Sequence, residues 1–391
     1  MTGSSYYSME KAAAWRSSGS TQTQARVYNE RLILSLIRLH GELSKVELTQ
    51  LTSLAPQTIT SIVNEAAANA LLLRGKPRRG GLGQPSVPYA LNPAGAWSFG
   101  LAMDAEGIEI VLTDFLGKIV EGARTLVAPL SPAAVIEAAD AGIKALLARH
   151  NDIPSDRIAG LGIASPFYGS AWPAALGLGN YQASEWERID LRAELDARFE
   201  WPVYLLPDGV VAAGGELTFG AGLGRTDFIY LHLGDRVSAG LVLDHRLHTG
   251  RNRLAGMIGD FAVGAATLNE IASLRSLPMP DGADPQNDQA YLADPAVAEW
   301  VAKAASALGA FAWQAVSLLD VDDIIVDTDA PPALTKALVR AISRDLSRAA
   351  ATRPAPLSVQ SGTLGLKAFA TGAASIPLMV RFGSDTEVLF K

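Results

Sequence analysis

The chain of 391 residues contains no cysteine. Disulfides and thiolate metal sites are therefore excluded. No apolar run approaches the ~18 residues of a membrane span, and the first residues lack the cationic, apolar and small-residue order of a secretory signal. A cytoplasmic protein without a membrane partner is expected. Charge is sparse, at 19% of residues against 49% hydrophobic, the balance of a globular protein with a sizeable core. The length predicts two or three domains. The most informative absence is local. Residues 1–92 hold no Asp and set 10 Lys/Arg against 5 Glu, whereas the remainder sets 23 basic against 35 acidic residues. A small basic end on a large acidic body points to an anionic polymer bound at one end.

Along the basic end, residues 1–24 are rich in Ser, Thr, Gln and Ala and predict a disordered arm, with a short helix near Glu10–Arg16. From Asn29, the residues Leu32, Ile33, Leu36, Ile37 and Leu39 recur at helical spacing up to Gly41. Ser44 followed by Glu47 is a capping box that opens a second, short helix at Lys45. Pro56 suits the first position of a third. That helix turns Ile59, Ile62, Val63 and Ala66 one way, and Gln57, Thr58, Thr60, Ser61 and Asn64 the other. A neutral, hydrogen-bonding face of this kind suits base edges in a major groove. "LLLRGKPRRGGLGQPSVPYALN" then reads strand, glycine-rich turn, strand, with Arg74, Lys76, Arg78 and Arg79 bunched at the turn. These cations suit phosphates. Residues 25–92 therefore read as a winged helix-turn-helix, the candidate contacts to double-stranded operator DNA being Lys45, Gln57, Thr58, Thr60, Ser61 and the four wing cations. A helical protein-interaction module is the alternative.

The acidic body, from residue 97, opens with three strands and two turns. "FIYLHLGDRVSAGLVLDHRL" at 228–247 repeats the layout about 130 residues later. Tandem hairpin-led lobes predict a two-lobed actin-like (ribonuclease H-like) α/β fold. Lobe one is expected over about 97–216 plus the C-terminal helix, and lobe two over about 217–365. His245 and His248 lie near Asp244, but read as a solvated hairpin loop, and no metal or cofactor is expected.

Residues 25–391 resemble the ROK family, which joins sugar kinases to sugar-responsive repressors. "YNERLILSLIRLHGELSKVELTQLTSLAPQTITSIV" resembles the repressors' DNA-binding head, and "GLGNYQASEW" their Asn-Leu-x-x-x-Trp sugar loop. "LAGMIGD" resembles Ala-Gly-Glu-Ile-Gly-His, and "LNEIAS" resembles Leu-Glu-x-x-Ala-Ser. The resemblance implies a sugar-kinase fold whose interlobe cleft holds a small carbohydrate or polyol. Asn180 and Asp208 match the family Asn and its catalytic Asp, Asp260 replaces a His, Met257 a Glu, and Asn269 a Glu with Glu270 adjacent. Asn180, Asp208, Asp260, Asn269 and Glu270 are thus the candidate ligand residues. Trp172, Tyr181 and Trp186 are candidates for stacking on a sugar ring, or for core. The family's His-and-Cys zinc site is lost, since its His is Asp260 and the cysteines are absent.

Departures from the family pattern fall on the nucleotide loops. The first hairpin turn, Asp-x-Gly-Gly-Thr in the kinases, is Asp104-Ala-Glu-Gly here, which places Glu106 in the phosphate slot. The second, Gly-Thr-Gly, is Gly234-Asp235-Arg236, and a later Gly-Gly is Asp327-Thr328. Triphosphate requires amide-rich turns and a cation. An unpaired carboxylate within ~4 Å opposes each phosphate charge by ~4 kcal/mol at an effective dielectric near 20. The expectation is a dimeric or tetrameric sugar-responsive regulator, more specifically a repressor, without kinase activity. A DNA-tethered sugar kinase and a DNA-binding protein with a vestigial cleft are the alternatives.

Overall fold

The computed structural model describes residues 22–78, 86–166, 173, 176–279, 288–349 and 356–384. The predicted arm up to residue 21, its short helix, Arg79 and Trp172 lie outside them.

The head comprises α1 (Gln22–His40), β1 (Glu42–Ser44), α2 (Lys45–Thr52), α3 (Pro56–Ala68), β2 (Leu72–Arg74) and β3 (Pro88–Leu91). Helix α1 starts at Gln22 rather than the expected Asn29, because the Gln, Ala and Arg that precede Asn29 are good helix formers. The capping box is formed: Glu47 N–H donates to Ser44 Oγ at 3.4 Å, and Ser44 N–H to Glu47 Oε2 at 2.7 Å. Pro56 occupies the first turn of α3. Ser53 takes the left-handed conformation, φ 56°, in the turn between the two helices. Ile33, Ile37, Leu48, Ile59 and Val63 are fully buried beneath the three-stranded sheet, which runs β1-β3-β2. An Arg78–Ser86 bridge extends the wing toward its tip.

In the body, β4 (Trp97–Met103), β5 (Gly107–Asp114) and β6 (Ile119–Leu126) form an antiparallel meander. Helix α4 (Pro132–Arg149) crosses to β7 (Ile158–Ser165), and α5 (Asn180–Arg188) and α6 (Leu191–Asp196) lead to β8 (Val203–Pro207). After α7 (Asp208–Phe219) the plan repeats as β9 (Phe228–Leu233), β10 (Val237–Leu243) and β11 (Arg246–Leu247). A ribbon of β12 (Ala262–Val263) and β13 (Ala266–Thr267) follows, with α8 (Leu268–Ala272), α9 (Asp288–Ala293) and α10 (Pro295–Leu319). The chain closes with β14 (Asp323–Thr328), α11 (Pro332–Ala349), β15 (Ser358–Ser361) and α12 (Ala368–Phe382). The sheet orders are β6-β5-β4-β7-β8 and β11-β10-β9-β14-β15, two copies of one topology. In each, the last two pairings are parallel.

Two helices exchange sheets. Helix α12 follows the last strand of lobe two yet packs on β4 and β7 of lobe one. Helix α7 follows the last strand of lobe one yet packs on β10 and β9 of lobe two. The expected division at residue 216 therefore cuts through a helix that sits against lobe two from Asp208 onward. Glycine permits both contacts: a methyl at Gly100 or Gly162 would overlap the carbonyls of Ala370 or Ala373, and one at Gly209 would overlap that of Ala239. The two helices also pack on each other, which places the N-terminus of α7 at the floor of the cleft.

Candidate functional site

The interlobe cavity lies where the ends of β7 and β8 meet β10 and the 256–260 loop. Its polar side chains are Ser165, Asp208, Arg236, Ser238 and Asp260, with Met257 beside them. It encloses about 430 Å³ of empty space, mouth included, but only about 30 Å³ admits the centres of water-sized molecules. That is room for very few waters. A ring-sized ligand does not fit the cavity in this arrangement of the lobes.

Asp208 is the first residue of α7, half-buried, with Oδ1 accepting Gly209 N–H at 2.7 Å. Burial raises its pKa, while the Gly209 amide, His232 and Arg236 act to lower it. Asn269 fastens the opposite wall. Its Oδ1 accepts Val237 N–H at 2.9 Å, its Nδ2 donates to Asp260 Oδ1 at 3.3 Å, and its amide lies against Gly259. Ser238 Oγ is buried at this wall with no hydrogen-bond partner.

Two expected ligand residues stand elsewhere. The Glu270 carboxylate closes a capping box, accepting Thr267 N–H at 2.7 Å and Thr267 Oγ1–H at 3.0 Å. The Thr267 amide bond holds its pKa below the usual range. The Thr-x-x-Glu spacing was a signal for this role. Asn180 is exposed in the first turn of α5 and does not line the cavity. Trp186 belongs to the lobe-one core, 5% exposed, and donates to Leu130 O at 3.1 Å. Ser165 and Ser238 also line the cavity, and no motif marks them, since each lies near a strand end; Arg236 reaches it from the second hairpin turn, where the sequence placed it in the nucleotide slot rather than the ligand cleft.

Behind the cavity lies a buried charged cluster in lobe two. His232 is fully buried, with Nε2 3.2 Å from Asp329 Oδ1 and Nδ1 3.1 Å from Tyr230 Oη. Burial alone would lower its pKa, but Asp329, Asp327 and Asp208 carry it above the ordinary value. Glu216, fully buried in α7, accepts Thr363 N–H at 2.6 Å and Leu364 N–H at 3.0 Å. Asp327 accepts Gly365 N–H at 3.1 Å, and burial raises its pKa. The loop leading into α12 is thus tied to both α7 and β14.

The first hairpin turn is occupied by its own residues. Asp104 Oδ1 accepts Glu106 N–H at 2.9 Å and Gly107 N–H at 3.1 Å. Arg124 grips Asp104 with two bonds, 2.7 and 3.0 Å, and reaches Glu106 Oε2 at 3.1 Å. Amides and a cation that could receive a phosphate are already engaged. In the second turn, Gly234 N–H donates to Arg236 O at 3.1 Å, and Asp235 points out to Arg275 at 3.4 Å.

On the head, Gln57, Thr60, Ser61 and Asn64 are exposed along α3, and Thr58 is half-buried. Lys45 Nζ donates to Asn64 Oδ1 at 2.8 Å and lies 5.6 Å from the Tyr89 ring centre, which joins α2 to the polar face. Arg74 and Lys76 are exposed on the wing, while Arg78 is paired with Glu42. Asp244 and His245 form a left-handed two-residue turn between β10 and β11, and no cluster able to hold a metal exists among the described residues.

Comparison with known proteins fits this architecture. The ROK family model matches residues 99–378. The chain belongs to the ROK family. It is 27% identical to the uncharacterized protein y4fQ of Sinorhizobium fredii, over 90% of this chain and 91% of that one. Against the xylose repressor of Bacillus spizizenii it is 24% identical, over 62% of each chain. Among solved structures, a ROK family transcriptional regulator homologous to the E. coli MLC protein matches with a TM-score of 0.70 at 17% identity, covering 94% of this chain and 99% of that one. A ROK glucokinase from Streptomyces griseus, solved with glucose and AMPPNP, matches with a TM-score of 0.56 at 20% identity, covering 72% of this chain and 99% of that one. The two-lobed body is therefore shared by regulators and kinases. No helix among the described residues is long and apolar enough to cross a membrane.

Proposed function

We propose that the chain is a sugar-responsive transcriptional regulator, more specifically a repressor, that binds operator DNA through residues 25–92 and a small carbohydrate or polyol in the interlobe cleft. One observation carries the reading: a winged head whose third helix presents an exposed, neutral, hydrogen-bonding face, joined to a ROK body. Its likeness to xylose repressors supports the same view. Asp208 and Asp260 supply acceptors for vicinal hydroxyls from two sides of the cavity. The protein acts as at least a dimer in this reading, because two heads on one face of B-DNA, ~34 Å apart or a multiple, match a palindromic site.

The test is selection of duplexes from a random library by the full chain, followed by salt titration. Gln57→Ala should relax sequence preference by ~1–3 kcal/mol of discrimination. Arg74→Ala with Lys76→Ala should weaken all duplexes alike. The salt dependence should flatten as well, its slope falling by about one for each phosphate that is no longer neutralised. No enrichment of any sequence sinks the reading.

A second reading, a DNA-tethered sugar kinase, draws on Asp208 at the cleft floor and on the glucokinase likeness. The self-occupied first turn speaks against it. Micromolar ATP affinity by calorimetry, with magnesium and D-glucose or D-xylose present, would favour the kinase.

A further inference from the structure

Helix α1 of the head ends on a seam where both lobes can be felt. The Arg38 guanidinium lies 5.1 Å from the Phe115 ring centre and 5.3 Å from that of Phe219. Phe115 directly follows β5 of lobe one, and Phe219 is the last residue of α7, which packs on lobe two. Leu39, next in the chain, lies over Gly224 on the path into lobe two, 2.7 Å from where a Cβ would stand there. Ser35 Oγ accepts Ser384 N–H at 3.2 Å, just beyond α12. The last two turns of α1 thus touch the C-terminal ends of both helices that exchange sheets.

One of those helices, α7, starts at the cleft. Asp208, the first residue of α7, lines the cavity, and the 12 residues to Phe219 span about 18 Å as a helix. Little side-chain slack exists along the way. Gly209 and Gly240 bring α7 against β10 with backbone contact, and Gly215 and Gly372 do the same between α7 and α12. The contact of α7 with β10 moves as a unit with lobe two, whereas the glycine contact between α7 and α12 is where the lobes can shear. At the far end the Phe219 ring lies against Gly117 in the β5–β6 turn, wedged between lobe one and Arg38. Asp114, 8% exposed and fixed by Leu116 and Lys118 amides at 2.9 Å, supplies the nearby negative charge.

We propose that Arg38, held between Phe115 of lobe one and Phe219 of α7, is the joint that converts parting or closing of the cleft into reorientation of the DNA-binding head. The proposal rests on the regulator reading for its purpose, though its mechanics do not depend on DNA. A ring–guanidinium sandwich tolerates sliding, so the head follows the relative displacement of the two rings, while the apolar cluster of Ile33, Leu34 and Ile37 with Phe115 and Leu378 keeps it attached.

Because the chain contains no cysteine, the cleft can be locked by a single introduced pair. Ser165→Cys with Met257→Cys places thiols on opposite walls, to be joined by a bis-maleimide in the full-length protein. Hydrogen exchange of residues 22–40 and affinity for a duplex selected as above are then compared before and after locking. In the otherwise native background, locking should change exchange near residues 35–40 and alter duplex affinity by about fivefold or more, the lower end of usual allosteric coupling. With Arg38→Met, which keeps apolar cover over both rings, both changes should fall below about twofold. Phe219→Leu, which removes the ring from the other side, should act likewise if Arg38→Met does not fold. Equal responses with and without Arg38 overturn the joint, and so does the absence of any response in the native background. Loss of duplex binding with an intact exchange response would instead remove the regulator reading and leave the joint standing.

Discussion

The two lobes share one topology and treat the same hairpin turn in opposite ways. In lobe one, Asp104 fills the amides of its own turn and Arg124 covers the carboxylate, so the groups that could take a ligand are already engaged. In lobe two, the turn residue Arg236 reaches the cavity that Asp208 lines, and Asp235 turns outward to Arg275. The same hairpin is filled by its own side chains in one lobe and turned toward the cleft in the other. Shared architecture therefore says little about shared chemistry. What differs is which side chain satisfies each turn.

The comparison first holds or fails on packing. If the lobes are equivalent scaffolds, glycine should be required where a helix seats on the sheet in each. Gly162→Ala puts a methyl into the Ala373 carbonyl, and Gly240→Ala puts one against Ala213 and Gly209. Backbone atoms cannot move aside as a side-chain end can, so each variant should lose ~3 kcal/mol, the upper part of the usual overpacking range. Denaturant melts of the full chain check this. A large loss at one position and none at the other would show that only one helix is tightly seated.

A second test addresses the charge buried in lobe two. His232 has a raised pKa, as do Asp208 and Asp327. Each of these groups holds its proton more tightly folded than unfolded, so the folded state binds more protons and stability falls as pH rises. For His232 the contribution is complete below its unfolded value of about 6.5 and is lost as pH climbs through the folded value. Melting temperature should therefore decline as pH rises beyond about 6.5, and His232→Gln should flatten that slope. An unchanged slope would place the linkage elsewhere.

How much of this was legible in the sequence depends on the range of the interaction. Ser44 with Glu47, and Pro56, act within one turn of chain, and both helix starts were readable. The repeated hairpins were readable because alternation and turn residues are local. Arg38 was not. Its partners lie some 77 and 181 residues away, and beside an apolar stripe it reads as one more surface cation. Glu216 likewise sits in a run of small residues, and nothing near it announces the Thr363 and Leu364 amides. The site residues divide the same way. Asp208 and Asp260 stand at motif positions and line the cavity, whereas Glu270, beside another motif position, closes the helix cap that its own Thr-x-x-Glu spacing describes.

The smallest expected effect sharpens the contrast between the two turns. Arg124→Ala removes the cation from the first turn but leaves Asp104 Oδ1 on the amides of Glu106 and Gly107. The side chains of Arg124 and Asp104 are 42% and 51% exposed, so water and salt already screen the pair. The loss of stability should stay below ~1 kcal/mol and shrink further at high salt. ATP affinity should remain undetectable in the variant, because the amides stay filled and two carboxylates now stand there without their cation. Asp104→Ala is the complementary change: it empties the two amides and leaves Arg124 with Glu106 as its one remaining partner there, so weak binding of inorganic phosphate should appear in that variant alone. Phosphate binding by the unaltered chain at the same concentration would mean that Asp104 does not occupy the turn in solution, and the contrast between the lobes would fall with it.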